Sequence, residues 1–103
     1  MKRRIQNRIE IKSNTADIDF TKCTDIEVFL AQGNYFERVY VPEVLASDKV
    51  VVTIPFVDAM ELRIGKAFLQ IALTDEFGNA RASDAYTVDV TELYKEAGYD
   101  IRS

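Results

Sequence analysis

The sequence predicts an all-β domain, a two-sheet sandwich of about seven short strands with a short C-terminal helix. Three observations carry this. Apolar residues recur at every second position in several runs, most fully in Ala67, Leu69, Ile71 and Leu73, the period at which strand side chains share a face. Turn formers punctuate those runs: Gly33-Asn34, Pro42, Pro55, Gly65 and Gly78-Asn79. No segment has helical periodicity long enough to serve as a crossover between parallel strands, which excludes a parallel α/β sheet.

The first strand is expected from Ile5 to Lys12, where Ile5, Ile9 and Ile11 alternate with Arg4, Arg8, Glu10 and Lys12. After a break at Asn14-Thr15, Ala16, Ile18 and Phe20 alternate with Asp17 and Asp19, predicting a second. Asp25 to Ala31 is the third, with Ile26, Val28 and Leu30 inward. Gly33-Asn34 reads as a two-residue hairpin turn. The return strand, Tyr35 to Val41, is ambiguous in its facing, because Val39 and Val41 compete with Phe36 and Tyr40. Such a strand could be apolar on both faces, with one side reserved for a partner.

Pro42 to Lys49 reads as a loop. Val50, Val52, Ile54 and Phe56 form the strongest inward row, and Pro55, which lacks an N–H, marks a sheet edge or a strand end. Asp58 and Glu61 have capping-box spacing, with Val57 and Leu62 as a hydrophobic staple, so one helical turn is expected between the sheets, stopped by Gly65. Residues 65–74 form the next strand. Gly78 supplies the positive φ of a type I turn closed by a bulge. The last strand places Tyr86, Val88 and Val90 inward. Thr91 caps a short helix to Ala97, ended by Gly98, with Leu93 and Ala97 on its apolar side. The architecture is immunoglobulin-like in layout only, because the chain has no tryptophan and a single cysteine.

The chain has 103 residues, the size of one domain, and its 48% apolar content is enough for one packed core. Cys23 cannot form an intrachain disulfide, and with no histidine in the chain it has no imidazole to activate it. The lack of disulfides favours a reducing cytoplasm as the place of synthesis. Met1-Lys2-Arg3-Arg4 is basic, but no apolar segment of a signal peptide follows, and no run reaches the ~20 apolar residues of a membrane span. Residues 1–12 carry Lys2, Arg3, Arg4, Arg8 and Lys12 against Glu10, while the whole chain has a net charge of −4, so the body is acidic. An acidic body disfavours nucleic-acid backbones. The basic end is either a solvated strand or a contact for a neighbouring subunit's acidic surface.

The absence of histidine also removes the usual acid–base and transition-metal ligand and excludes Ser-His and Cys-His nucleophiles. The glycines at 33, 65, 78 and 98 are isolated and do not form a phosphate-cradling loop. Asp75-Glu76-Phe77-Gly78-Asn79 lacks the ligand spacing of a calcium loop, and Asp58 with Glu61 gives only two oxygen ligands. Asp17 and Asp19 share a side, but nothing nearby would raise either pKa toward neutrality. The sequence therefore predicts no enzyme, no cofactor, no metal and no small-molecule substrate.

Three segments carry a family resemblance. Asp19-Phe20-Thr21-Lys22-Cys23-Thr24-Asp25-Ile26-Glu27-Val28 is similar to a D-L-T-G-A/C-x-V entry into a strand, with Lys22 where glycine is usual. Gly65 to Asp75 matches G-x-a-x-x-Q-i-x-l-x-D. Phe77-Gly78-Asn79, Ser83 and the strand from Tyr86 to Val90 match x-G-x…S…f-x-V. Together these segments resemble the immunoglobulin-like domain of phage tail and baseplate structural proteins, of the upper baseplate protein N-terminal type. The resemblance implies a role in a virion or prophage-derived particle, assembled in the host cytoplasm, with other virion or tail proteins or further copies of itself as partners. It carries over no functional residues.

Contact residues are expected on the hairpin at Tyr35, Phe36 and Tyr40, in the C-terminal helix region at Leu93, Tyr94 and Tyr99, and at the basic end with Arg3 and Arg4. The competing reading of these aromatics is simple core. The rival function is an extracellular carbohydrate- or protein-recognition sandwich, which requires exposed coplanar aromatics.

Overall fold

A computed structural model describes residues 1–3, 5–14, 17–83 and 85–91. Arg4, Leu93, Tyr94, Tyr99 and the expected helix after Thr91 lie outside the described residues, as do Thr15 and Ala16. Two antiparallel sheets stack as a sandwich. The smaller has the order β1 (Asn7–Lys12), β5 (Lys49–Ile54), β4 (Glu43–Ala46). The larger has the order β3 (Phe36–Tyr40), β2 (Asp25–Gln32), β6 (Gly65–Thr74), β7 (Ala80–Ala82), with β8 (Tyr86–Val90) also on β6.

The alternation seen in the sequence sets the core. Ile26, Val28 and Leu30 of β2 and Ala67, Leu69, Ile71 and Leu73 of β6 face Val50, Val52 and Ile54 of β5, and all are buried. At about 25 cal/mol per Å² of apolar surface, each buried Val, Leu or Ile contributes roughly 1.5–3 kcal/mol. Phe20 and Leu62 close the core between the sheets.

Several expectations change. Residues 17–20 do not form a strand. Asp19 instead caps a 3-10 turn, Phe20–Lys22, with its carboxylate accepting from the Thr21 N–H; Phe20 is buried and Ile18 packs partly buried against the core. The segment read as a loop after Pro42 contains β4, an edge strand whose register shifts between Val44 and Ala46. The first hairpin loop has three residues, because Gln32 pairs with Phe36, and Gly33 sits at φ 58. The second hairpin forms as expected: the Gly78 N–H donates to Asp75 O, the Asp75 N–H donates to Asn79 O, and Gly78 has φ 85.

β7 and β8 share one flank of β6 and are separated at Ser83. The Ser83 N–H donates to Ile71 O, and its hydroxyl accepts from the Ile71 N–H, so the ladder is bridged by a side chain. Tyr86, expected inward, is half exposed, and of its strand only Val90 is fully buried.

The helix between the sheets also differs. Pro55 ends β5 and caps α1 (Phe56–Glu61) without a side-chain bond, so the expected capping box does not form. Val57 is exposed while Leu62 is buried, so they make no staple. Phe56, placed in the inward row by its spacing from Ile54, turns outward once the backbone becomes helical.

Candidate functional site

The most built-up surface lies where α1 meets the β2–β3 hairpin. Asp58 and Glu61 fall on one side of α1 by their i, i+3 spacing. β3 holds both. The Tyr40 hydroxyl donates to Asp58 Oδ2 at 2.6 Å, and Arg38 donates to Glu61 Oε2 at 2.6 Å with its Nε 3.7 Å from Asp58 Oδ1. Desolvation, then the bond to Asp58, pushes the Tyr40 phenol well above its ordinary pKa, so it stays a donor at neutral pH. Docked this way, α1 buries Ala59 and turns Phe56, Val57 and Met60 to solvent.

The segment after α1 is fixed by a buried amide. Gln32, only 4% exposed, donates from Nε2 to Arg63 O at 2.7 Å and accepts at Oε1 from the Arg63 N–H at 2.7 Å. A longer contact of 3.4 Å reaches Lys66 O. The side chain thus binds the 62–66 segment as a neighbouring strand would. Arg3 adds a 2.6 Å bond from Nε to Leu62 O. The Arg63 guanidinium lies 4.0 Å from the centre of the Tyr35 ring, which ties the hairpin loop to the same segment.

On this anchored frame Phe56, Val57, Met60 and Ile64 are 51, 66, 50 and 59% exposed. Large apolar side chains grouped together in solvent are a mark of a contact surface. The sequence residues fare unevenly against it. Tyr35 is exposed and borders the surface. Phe36 is buried in the core, so it offers no contact area, and the Arg38 side chain sits 4.9 Å from its ring. Tyr40 is half buried with its hydroxyl committed to Asp58, so the three aromatics form no coplanar platform. Arg3 is bonded to its own chain. No family model and no curated protein matches this chain. The surface therefore stands on its own geometry.

Phe56, Val57, Met60 and Ile64 were not legible as a contact surface. The available signal was Pro55, which ends the strand and changes the period after it, combined with more apolar residues over 56–64 than one short helix can bury.

A second feature is an open cleft of about 670 Å³ between β1 and the β7–β8 flank, floored by Ile11, Ile18, Phe20, Ile71 and Leu73. Arg81 bonds Asp17 at 2.7 Å on its rim, which raises the guanidinium pKa further. The neighbouring Cys23 thiol is pushed up by burial, the opposite of activation. The Asp19 carboxyl is shifted down, chiefly through the Thr21 hydroxyl, and so is that of Asp75, through the backbone N–H groups of Asn79 and Phe77. Among the described residues no group of three Cys, Asp or Glu side chains is placed to hold a metal ion, and no helix is long and apolar enough to cross a membrane.

Proposed function

We propose that this chain is a non-catalytic assembly module that acts through protein–protein contacts in a phage or prophage tail or baseplate particle. The observation that carries the reading is the solvent-facing set Phe56, Val57, Met60 and Ile64 on a frame pinned by Gln32, Arg38 and Tyr40. A frame already ordered in the free chain loses little entropy on docking, so the apolar area it buries counts toward affinity. The particle itself comes from the sequence resemblance. Downward-shifted carboxyls and an upward-shifted thiol are poor material for acid–base or nucleophilic chemistry, which favours a contact role over an enzymatic one.

The test follows the tagged chain during particle production. Wild-type protein is expected to sediment with assembled particles on a density gradient. The double variant Phe56→Asp, Met60→Asp is expected to remain in the free fraction with an unchanged circular dichroism spectrum. Absence of the wild-type chain from particles, or equal incorporation of the variant, would overturn the reading.

A further inference from the structure

Most edges of the two sheets are guarded. β3 carries α1 through Tyr40 and Arg38, β4 breaks its register between Val44 and Ala46, and β7 has only three residues. The end of β8 is taken by the N-terminal segment, where the Arg3 N–H donates to Thr91 O and the Thr91 N–H donates to Met1 O. β1 differs. It is six residues long, lies at the outside of its sheet and pairs with β5 in unbroken register.

One bond fixes which of its peptide groups face outward. The Ser13 N–H donates to Asp48 O, continuing the register in which Lys12 is opposite Lys49. Bonded and non-bonded pairs alternate along an antiparallel ladder, so Ile11, Ile9 and Asn7 also bond β5. The N–H and C=O groups of Arg8, Glu10 and Lys12 therefore point away from β5, and no described residue bonds them. At ~3.4 Å per residue they make roughly 14 Å of bare edge.

Beside that edge the sandwich is open. Ile11 lines the cleft of about 670 Å³ together with Ile18, Phe20, Ile71 and Leu73. A strand laid along β1 would turn alternate side chains over this apolar floor and set the others beside Arg8, Glu10 and Lys12.

The charges decide which strand fits. Glu10 is paired with Lys49 at 3.4 Å, whereas Arg8 and Lys12 are exposed and form no ion pair with any described residue. A second copy of β1 in full overlap would set Arg8 against Lys12 and Glu10 against its own counterpart, and like charges directly opposite are destabilising. We propose that β1 receives an extended acidic segment of a partner protein as an added strand. Its apolar residues, at alternate positions, reach into the cleft, and its acidic residues lie opposite Arg8 and Lys12. Main-chain bonds supply the affinity of such a contact, and side chains supply the selection. This inference goes beyond the assembly reading and uses none of the α1 surface.

The probe is a capped synthetic peptide, Gly-Asp-Ile-Thr-Ile-Asp-Gly, which reads the same from either end and so serves either strand direction. Amide hydrogen exchange on the full chain is the readout. In the free chain the amides of Arg8, Glu10 and Lys12 should exchange quickly and those of Ile9 and Ile11 slowly. With ~1 mM peptide the first three should slow at least twofold, as a Kd of about 1 mM or tighter requires. Lysine in place of both aspartates of the peptide should weaken binding about tenfold. Glu10→Pro removes an outward N–H and leaves the β5 ladder whole, so it should keep the circular dichroism spectrum and lose binding. If that variant fails to fold, the double variant Arg8→Glu, Lys12→Glu should reverse the preference and bind the lysine peptide more tightly.

No slowing at ~1 mM peptide overturns the proposal, as does binding indifferent to these variants. Slow exchange of Arg8, Glu10 and Lys12 in the free chain also overturns it, because the edge would already be covered. Loss of peptide binding in the folded Phe56→Asp, Met60→Asp variant would move the site to α1 and overturn it. Peptide binding alongside failed particle incorporation would separate this result from the particle reading.

Discussion

Replacing Gln32 by leucine removes an amide that stands in for a strand. The side chain makes two bonds of 2.7 Å to the peptide groups of Arg63 and a longer one to Lys66 O. A net hydrogen bond contributes about 1 kcal/mol, and a buried group left unpaired costs about 1–3 kcal/mol. Arg63 is an exposed residue, so water can take over part of its backbone bonding. The loss is therefore set near the lower end, about 2 kcal/mol, a melting-temperature drop of roughly 8–16 °C for a domain of this size.

Urea unfolding followed by circular dichroism measures it directly, and Gln32→Glu serves as the control. The carboxylate keeps an acceptor for the Arg63 N–H but faces the Arg63 and Lys66 carbonyls with no donor. Its folded pKa should therefore rise above the unfolded value, ~4.3. The variant's stability is then fully present below that pH and is lost as pH rises through the folded pKa. A Gln32→Leu midpoint within about 0.5 kcal/mol of wild type would refute the claim that this amide anchors the segment.

Tyr40→Phe removes the bond to Asp58 and should cost about 1 kcal/mol at neutral pH. Because the folded phenol pKa lies above the unfolded value of 10.0, wild-type stability holds below that pH and declines above it, and the variant should decline less in the same alkaline urea series. Asp75→Asn weakens the acceptor of the Phe77 and Asn79 N–H groups in the second hairpin. Its folded pKa is depressed, so the wild-type advantage is present above the unfolded pKa and lost as pH falls through the folded one. Urea midpoints of the two proteins should differ at pH 7 and converge in acid.

The core was readable from period alone. Ile26, Val28 and Leu30, the row from Ala67 to Leu73, and the row from Val50 to Ile54 face inward as their alternation requires. The readings that failed did so where local chemistry outweighed period. Ile18 and Phe20 alternate like a strand, but the Asp19 side chain competes for the backbone and closes a 3-10 turn. Phe56 kept the two-residue rhythm of β5 past the proline that ended the strand. Asp58 and Glu61 have the spacing of a cap, yet both carboxylates go to β3, and nothing in a single helix's sequence indicates a partner on another strand. Phe36 and Tyr40 share a face, and only the register with β2 decided that this face was the inner one. The buried role of Gln32 was invisible for the same reason, since its partners are thirty-one and thirty-four positions away.

The interruption at Ser83 bears on how large an assembly can grow. A flank of bare amide and carbonyl groups can recruit strand after strand without limit, the route to fibres. Here β7 has only three residues, and the hydroxyl of Ser83 accepts the Ile71 amide where a continuous ladder would otherwise run. That margin is a poor template for polymerisation.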